Sequence, residues 1–148
     1  MASVEQEFHV DAPPAAVWRV IADVERWPEW TPSIRRARWL DGATLTKGSR
    51  ARLRIAGSLV PSTWTVTSLE PERSFTWESR VMPGVVTVAD HELTPADGGT
   101  RVVLRVTFTG PLAPVVAPML MPVSRRNVRL EAEGLKRTAE AAAGAAAP

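Results

Sequence analysis

The sequence contains no cysteine and no tyrosine, and its only histidines are His9 and His91. Without cysteine there is no disulfide, no thiolate nucleophile and no cysteine-held metal. Two lone histidines exclude a histidine-rich metal cluster. No apolar run approaches the roughly 20 residues that span a bilayer, so no integral membrane segment is expected. The N-terminus lacks the charged-then-apolar pattern of a secretory signal, and the cytoplasm is the default compartment. A Gly-x-Ser-x-Gly elbow and a phosphate-cradling glycine loop are missing too. No cofactor is expected. A formal net charge of +2 is small, which argues against nucleic acid as a partner. Arginine far outnumbers lysine and alanine is abundant, a pattern that genome composition explains.

What is present suffices for one domain over residues 1–148, with a real core. Residues 144–148 read as a frayed tail. Val4, Gln6, Phe8 and Val10 alternate with Ser3, Glu5, Glu7 and His9, the pattern of a strand with one buried face and an exposed His9. Asp11 ahead of Pro13 and Pro14 is a helix-start signal with Asp11 as the N-cap candidate, opening a helix over 13–23. Pro28 and Pro32 then limit a second helix to the short stretch around Trp27 and Trp30. These two tryptophans read as a wedge between the helical corner and a sheet, or alternatively as an aromatic wall at a pocket entrance.

Six strand-like segments follow between Ile34 and Gly110, separated by turn signals such as Asp41-Gly42, Pro83-Gly84 and Ala96-Asp97-Gly98-Gly99. Such short connections make the sheet antiparallel. Last comes Pro111 to Ala143, whose Val116, Met119, Leu120, Val123, Val128, Leu130 and Leu135 recur at helical spacing. Its apolar stripe must be buried, and the preceding sheet is the surface available. Pro114, Pro118 and Pro122 each oppose a regular helix. The expectation is a broken or kinked lead-in over 112–121, a lip over a cavity or merely a packed helix end, with a regular helix from Val123. The architecture expected is therefore α+β: a seven-stranded curved antiparallel sheet wrapped around a long C-terminal helix, with two short helices between the first and second strands.

That order resembles the helix-grip fold of the Bet v 1/START-like superfamily, in particular the polyketide cyclase/dehydrase-like branch called SRPBCC. The matching residues are Val10-Asp-Ala-Pro-Pro-Ala-Ala-Val-Trp18, Trp27-Pro-Glu-Trp-Thr-Pro32, Gly48, Trp64 with Glu70-Pro71, Phe75-Thr-Trp77, and His91-Glu-Leu-Thr-Pro95 leading into Gly98-Gly-Thr-Arg-Val102. The resemblance implies a cavity between sheet and helix that takes a hydrophobic small molecule of lipid, quinone or aromatic polyketide type. It implies an enzyme in only some members.

On this frame Trp30, Trp64, Val66, Phe75, Trp77, His91, Met119, Leu120 and Val123 are the expected ligand-binding residues. The bland reading makes the aromatic ones plain core. His91 shares a strand face with Leu93, and an inward histidine is either a hydrogen-bonded core residue or the general acid/base of the site. It is the best catalytic candidate. Glu78, Asp90 and Glu92 alternate away from that face, so a carboxylate dyad inside the cavity is not expected. Arg35, Arg36, Arg38, Arg50, Arg52 and Arg54 read as a solvated sheet face, partly neutralised by nearby glutamates, rather than as a surface for nucleic acid or an anionic membrane. Three readings stand: a carrier or sensor of an apolar ligand; a cyclase or dehydratase using His91; and a co-chaperone-like interaction module working through the sheet surface. Monomer and homodimer remain equally open.

Overall fold

The computed structural model describes residues 2–42 and 44–146. Strands β1 (Ala2–Val10), β2 (Ile34–Trp39), β3 (Arg50–Ile55), β4 (Ser62–Glu70), β5 (Ser74–Met82), β6 (Val85–Ala96) and β7 (Gly99–Thr109) form one sheet. Its order is β1-β7-β6-β5-β4-β3-β2 and every neighbouring pair is antiparallel. Helix α1 (Pro14–Ala22), a 3₁₀ turn (Val24–Arg26) and α2 (Trp27–Trp30) lie between β1 and β2. The long helix α3 (Ala113–Ala146) closes the chain. This is the helix-grip architecture expected. Among the described residues no helix is long and apolar enough to cross a membrane.

Strand alternation sets the inner face. Ala51 and Leu53, Trp64 and Val66, Phe75 and Trp77, and Val102 and Leu104 are buried, while the arginines of β3 between them are exposed. The β6–β7 hairpin turns on Asp97 and Gly98, with φ of 49° and 78°, the paired positive angles of a tight turn that follows the sheet's twist. α1 starts at Pro14 with no side-chain cap bond. Asp11, expected there, is occupied elsewhere: its backbone N–H donates to Glu140 on α3 at 2.8 Å, and its carboxylate accepts from His9 at 3.1 Å. His9 is half-buried rather than fully exposed.

Two expectations about α3 are corrected. The lead-in is not broken: the helix is continuous from Ala113, with Pro118 and Pro122 inside it. All three lead-in prolines, Pro114 included, lie on the exposed side. There, water hydrates the carbonyls that lose their N–H partner, and the rings point away from the core. The buried stripe also runs through smaller residues than periodicity indicated: Ala113, Ala117, Val128, Ala132, Leu135 and Ala139. Met119 is exposed, and Leu130 is only half-buried. Of the tail expected to fray over 144–148, residues 144–146 are helical and the last two lie outside the described residues.

A stripe of alanines lets the helix axis come close to its neighbours. Closest is Gly134, where a Cβ would run into the backbone oxygen and ring of Trp30. Trp30 and Trp27 are thereby trapped between α3 and the sheet, as the wedge reading required. Gly134→Ala should destabilise the fold by about 1–3 kcal/mol through overpacking, although alanine is the better helix former by about 1 kcal/mol. Gly144, which has open space around its Cβ position, is the control. Denaturant midpoints should fall for Gly134→Ala and hold or rise for Gly144→Ala.

Candidate functional site

β5 and β6 place Phe75 directly opposite His91. The two rings stack, with centroids 4.1 Å apart and planes 8° from parallel. Trp27 from α2 and Trp77 from β5 close round the same imidazole at 5.7 and 6.1 Å. Trp64 packs against Trp77 at 5.8 Å, and Trp18 meets Phe75 edge-on at 6.2 Å. The indole N–H groups are satisfied locally, Trp27 by the Ile21 carbonyl and Trp64 by Ser62 Oγ. His91 is buried inside this aromatic box, at 3 % exposure.

Two polar groups reach the imidazole. Nδ1 donates to the Phe75 carbonyl at 3.2 Å, since a carbonyl oxygen only accepts. Nε2 faces Glu131 Oε1 of α3 at 3.4 Å. With Nδ1 carrying a proton, Nε2 meets a carboxylate as a bare lone pair unless the pair holds a second proton. A proton on either member makes the contact attractive. His91 and Glu131 therefore form a buried imidazole–carboxylate contact, in surroundings where hydrogen bonds are electrostatically strong.

Glu131 was not anticipated: the carboxylates weighed were those of the strands, Glu78, Asp90 and Glu92, whereas this one comes from α3. The signal was available: it lies three residues after Val128 and four before Leu135, on the buried stripe. One turn earlier on the same face, Asn127 donates Nδ2 to the Ala56 carbonyl at 3.0 Å. Its Oδ1 is buried with no partner among the described residues. One further turn back is Val123, against which a Cβ on Gly57 (φ 90°) would collide. Val123, Asn127 and Glu131 thus form a line from the β3–β4 loop inward to His91.

The sheet beneath that line changes character along its length. Around His91 it is filled with aromatic rings. Towards the β5–β6 turn the inner-facing residues become small: Ala89 and Thr87 on β6 and Ser79 on β5. Thr87 is half-exposed although it faces inward. The buried core divides here, one cluster around the aromatic box and a second of Val85, Phe108, Ala113 and Ala117. Among the described residues only the partly buried Val106 and Met121 pack against both. The small side chains of Ser79, Thr87 and Ala89 mark a seam in the core at this division, on the β5–β6 turn side of His91.

The expected site residues divide accordingly. Trp64, Val66, Phe75, Trp77 and His91 come together as one packed cluster. Trp30 belongs to it from the far side and borders a groove of about 650 Å³ between α1, α2 and the C-terminal part of α3. Leu120 packs on the second cluster, and Val123 closes the β3–β4 loop. Met119 is turned outward at 76 % exposure and does not face the seam. Met121, part of the lead-in read as a lip over a cavity, packs against both clusters; Ala89, Thr87, Ser79, Asn127 and Glu131 were not anticipated as site residues, because small and polar residues carry little periodic signal. Among the described residues no cluster of acidic and histidine side chains has the makings of a metal site.

A family model described as polyketide cyclase/dehydrase and lipid transport matches residues 1–140. No curated protein sequence matches. Among solved structures, the Zhui aromatase/cyclase of Streptomyces sp. R1128 is similar at 24% identity and a TM-score of 0.76, over 94% of this chain and 93% of that one. The Thermus thermophilus protein TTHA0849 has 20% identity and a TM-score of 0.75, over 95% and 99%. The di-domain aromatase/cyclase StfQ of the steffimycin pathway has 17% identity and a TM-score of 0.77, over 96% of this chain and 51% of that one. At these identities the likeness is one of fold.

The tautomer argued from geometry is directly measurable. In long-range ¹H–¹⁵N spectra of the imidazoles, His91 should show a protonated Nδ1 across the pH range of the folded protein. A neutral His91 protonated at Nε2 alone would show that the Phe75 carbonyl does not set its orientation.

Proposed function

Because the chain belongs to the polyketide cyclase/dehydrase and lipid-transport family, within the SRPBCC superfamily, we propose that it binds an apolar small molecule along the seam between sheet and α3, as a carrier or sensor. The observation that carries this reading is the seam itself. Small inner residues, Ser79, Thr87 and Ala89, lie where the core divides into two clusters. The unpartnered Asn127 Oδ1 and the His91–Glu131 pair wait at its inner end. An apolar body would fill the seam by displacing Met121, whose unbranched side chain re-packs easily. A hydroxyl on the ligand would satisfy Asn127. Aromatic rings that already pack at core density leave no room deeper in, so the ligand's depth is limited to the approach to His91.

One observation favours a second reading. A buried imidazole 3.4 Å from a carboxylate is suited to general acid–base work. In a cyclase or dehydratase, His91 Nε2 would take a proton from the carbon between two ketones of a poly-β-ketone. The resulting enolate would attack a second carbonyl to form the C–C bond. The proton would return to the new alkoxide, and loss of water would follow. The aromatic rings would hold flat intermediates, and Glu131 would balance the imidazolium.

Native mass spectrometry followed by denaturing extraction tests the first reading, together with titration by anilinonaphthalene sulfonate read through tryptophan emission. We expect a bound apolar compound or saturable probe binding, weakened at least tenfold in Ala89→Phe with unchanged circular dichroism. A clean apo mass without probe binding would overturn it. For the second reading, His91→Ala and Glu131→Gln should abolish conversion of a poly-β-ketone substrate while affinity for it is retained. Wild-type protein that binds such compounds without converting them leaves the carrier.

A further inference from the structure

The exposed large apolar side chains are gathered at one end of the molecule. Leu59 and Val60 project from the β3–β4 loop, Met82 from the β5–β6 turn, and Leu112, Val115 and Met119 from the start of α3. Leu59, Met119 and Val115 are 91%, 76% and 71% exposed. The three segments meet in space. Leu112 donates its N–H to the Gly84 carbonyl at 2.9 Å, and Asn127 and Val123 hold the β3–β4 loop against α3. They surround the rim at which the seam opens. The one other exposed large apolar residue described, Leu40, sits at the opposite end of the sheet.

Arginine predominates around this end, with Glu78 beside Arg80 at 4.0 Å and Glu133 beside Arg129 at 3.8 Å. Residues 54–69, 79–89 and 106–130 contain no aspartate or glutamate, but carry Arg54, Arg80, Arg125, Arg126 and Arg129. The sheet register adds a feature that alternation within a strand does not reveal. Arg36 lies directly opposite Arg54, and Arg38 opposite Arg52, on the exposed face of β2–β3. Like charges facing each other across a strand pair are destabilising. The glutamates expected to neutralise this face do not: among the described residues only Arg50 finds a partner, Asp41 at 2.8 Å. Arg54 and Arg36 are at the rim end of that face, beside the β3–β4 loop.

α3 repeats the arrangement along its own axis. Its exposed side reads Pro114, Val115, Pro118, Met119 and Pro122, then Arg125, Arg126 and Arg129. At 1.5 Å per residue, Met119 stands about 9 Å beyond Arg125. Along the axis the apolar residues therefore lead and the guanidinium groups follow between one and two turns behind.

We propose that this rim docks onto an anionic lipid surface, with Leu59, Val60, Val115 and Met119 inserted and the surrounding arginines on the lipid phosphates. The ligand seam then opens into the acyl region rather than into water. Docking stands on surface chemistry alone, whichever ligand occupies the seam. It replaces the solvated-face expectation for the arginine stripe, because an external anion layer supplies the counter-charge that the chain itself omits.

The test is co-sedimentation of the full chain with vesicles of pure phosphatidylcholine and of equimolar phosphatidylcholine and phosphatidylglycerol. Binding should require phosphatidylglycerol and fall steeply with added salt. Each arginine near such a surface is worth about fivefold in partitioning, so R125Q/R126Q should bind about twenty- to thirtyfold more weakly. L59D/M119D should abolish binding, and circular dichroism should show both variants folded, since all four side chains are exposed or half-exposed on the surface. No binding to the mixed vesicles would overturn the proposal, as would binding indifferent to lipid charge. It would also fall if sedimentation velocity showed a wild-type dimer that L59D/M119D converts to monomer without any vesicle binding by the wild type, making a second copy the occupant.

Discussion

The structure depends on how closely α3 can lie against the elements it crosses. A helix faced with Leu or Phe would stand further off. This one presents Ala132, Leu135 and Ala139 to the core, and at Gly134 its backbone meets that of α2. The close approach locks Trp27 and Trp30 against the sheet, and Trp27 in turn helps box His91. It also carries Glu131 inward far enough to meet the imidazole, which a looser helix would leave apart. Contacts from α3 to the β1–α1 loop complete the clamp: Glu140 receives the Asp11 N–H, and Lys136 donates both to Glu140 and to the His9 carbonyl, each at 2.7 Å.

The interior is graded along that helix. At the closed end it is aromatic, dry and fully packed, and serves stability. At the rim end the side chains become small, the core divides, and polar atoms appear with incomplete hydrogen bonding. A buried acceptor without a donor is costly, and a buried imidazole lies against a carboxylate. Such features are expected where local consistency has yielded to function. The three prolines of α3 fit the same gradient. They remove backbone donors on the outward face of the lead-in, leaving that part of the helix held by fewer internal hydrogen bonds than the rest.

The exterior is graded along the same direction. The rim concentrates apolar side chains and arginines, with Glu78 beside Arg80. The small overall net charge conceals this, because opposite charges on separate parts cancel in the sum while acting independently at distances beyond the Debye length.

Local pattern was enough for the class of fold. Strand alternation, turn dipeptides and one long amphipathic stretch are signals that survive without knowledge of tertiary contacts, and all seven strands and three helices were legible from them. His91 was legible as the inward residue of its strand, since side-chain period in a strand is strictly two. Everything that depends on juxtaposition across long separations was left to the folded chain. Glu131 is forty residues from His91 in the chain, and no local pattern pairs them. The buried phase of α3 was misread because alanine carries less hydrophobic signal than Met119 or Leu130, yet only small residues permit the approach that the aromatic wedge requires. The prolines predicted a break, but their exposure on the solvent side removed its cause. The arginine pairs across β2 and β3 came only from register, because sequence shows alternation within a strand but not which residue it faces on the next.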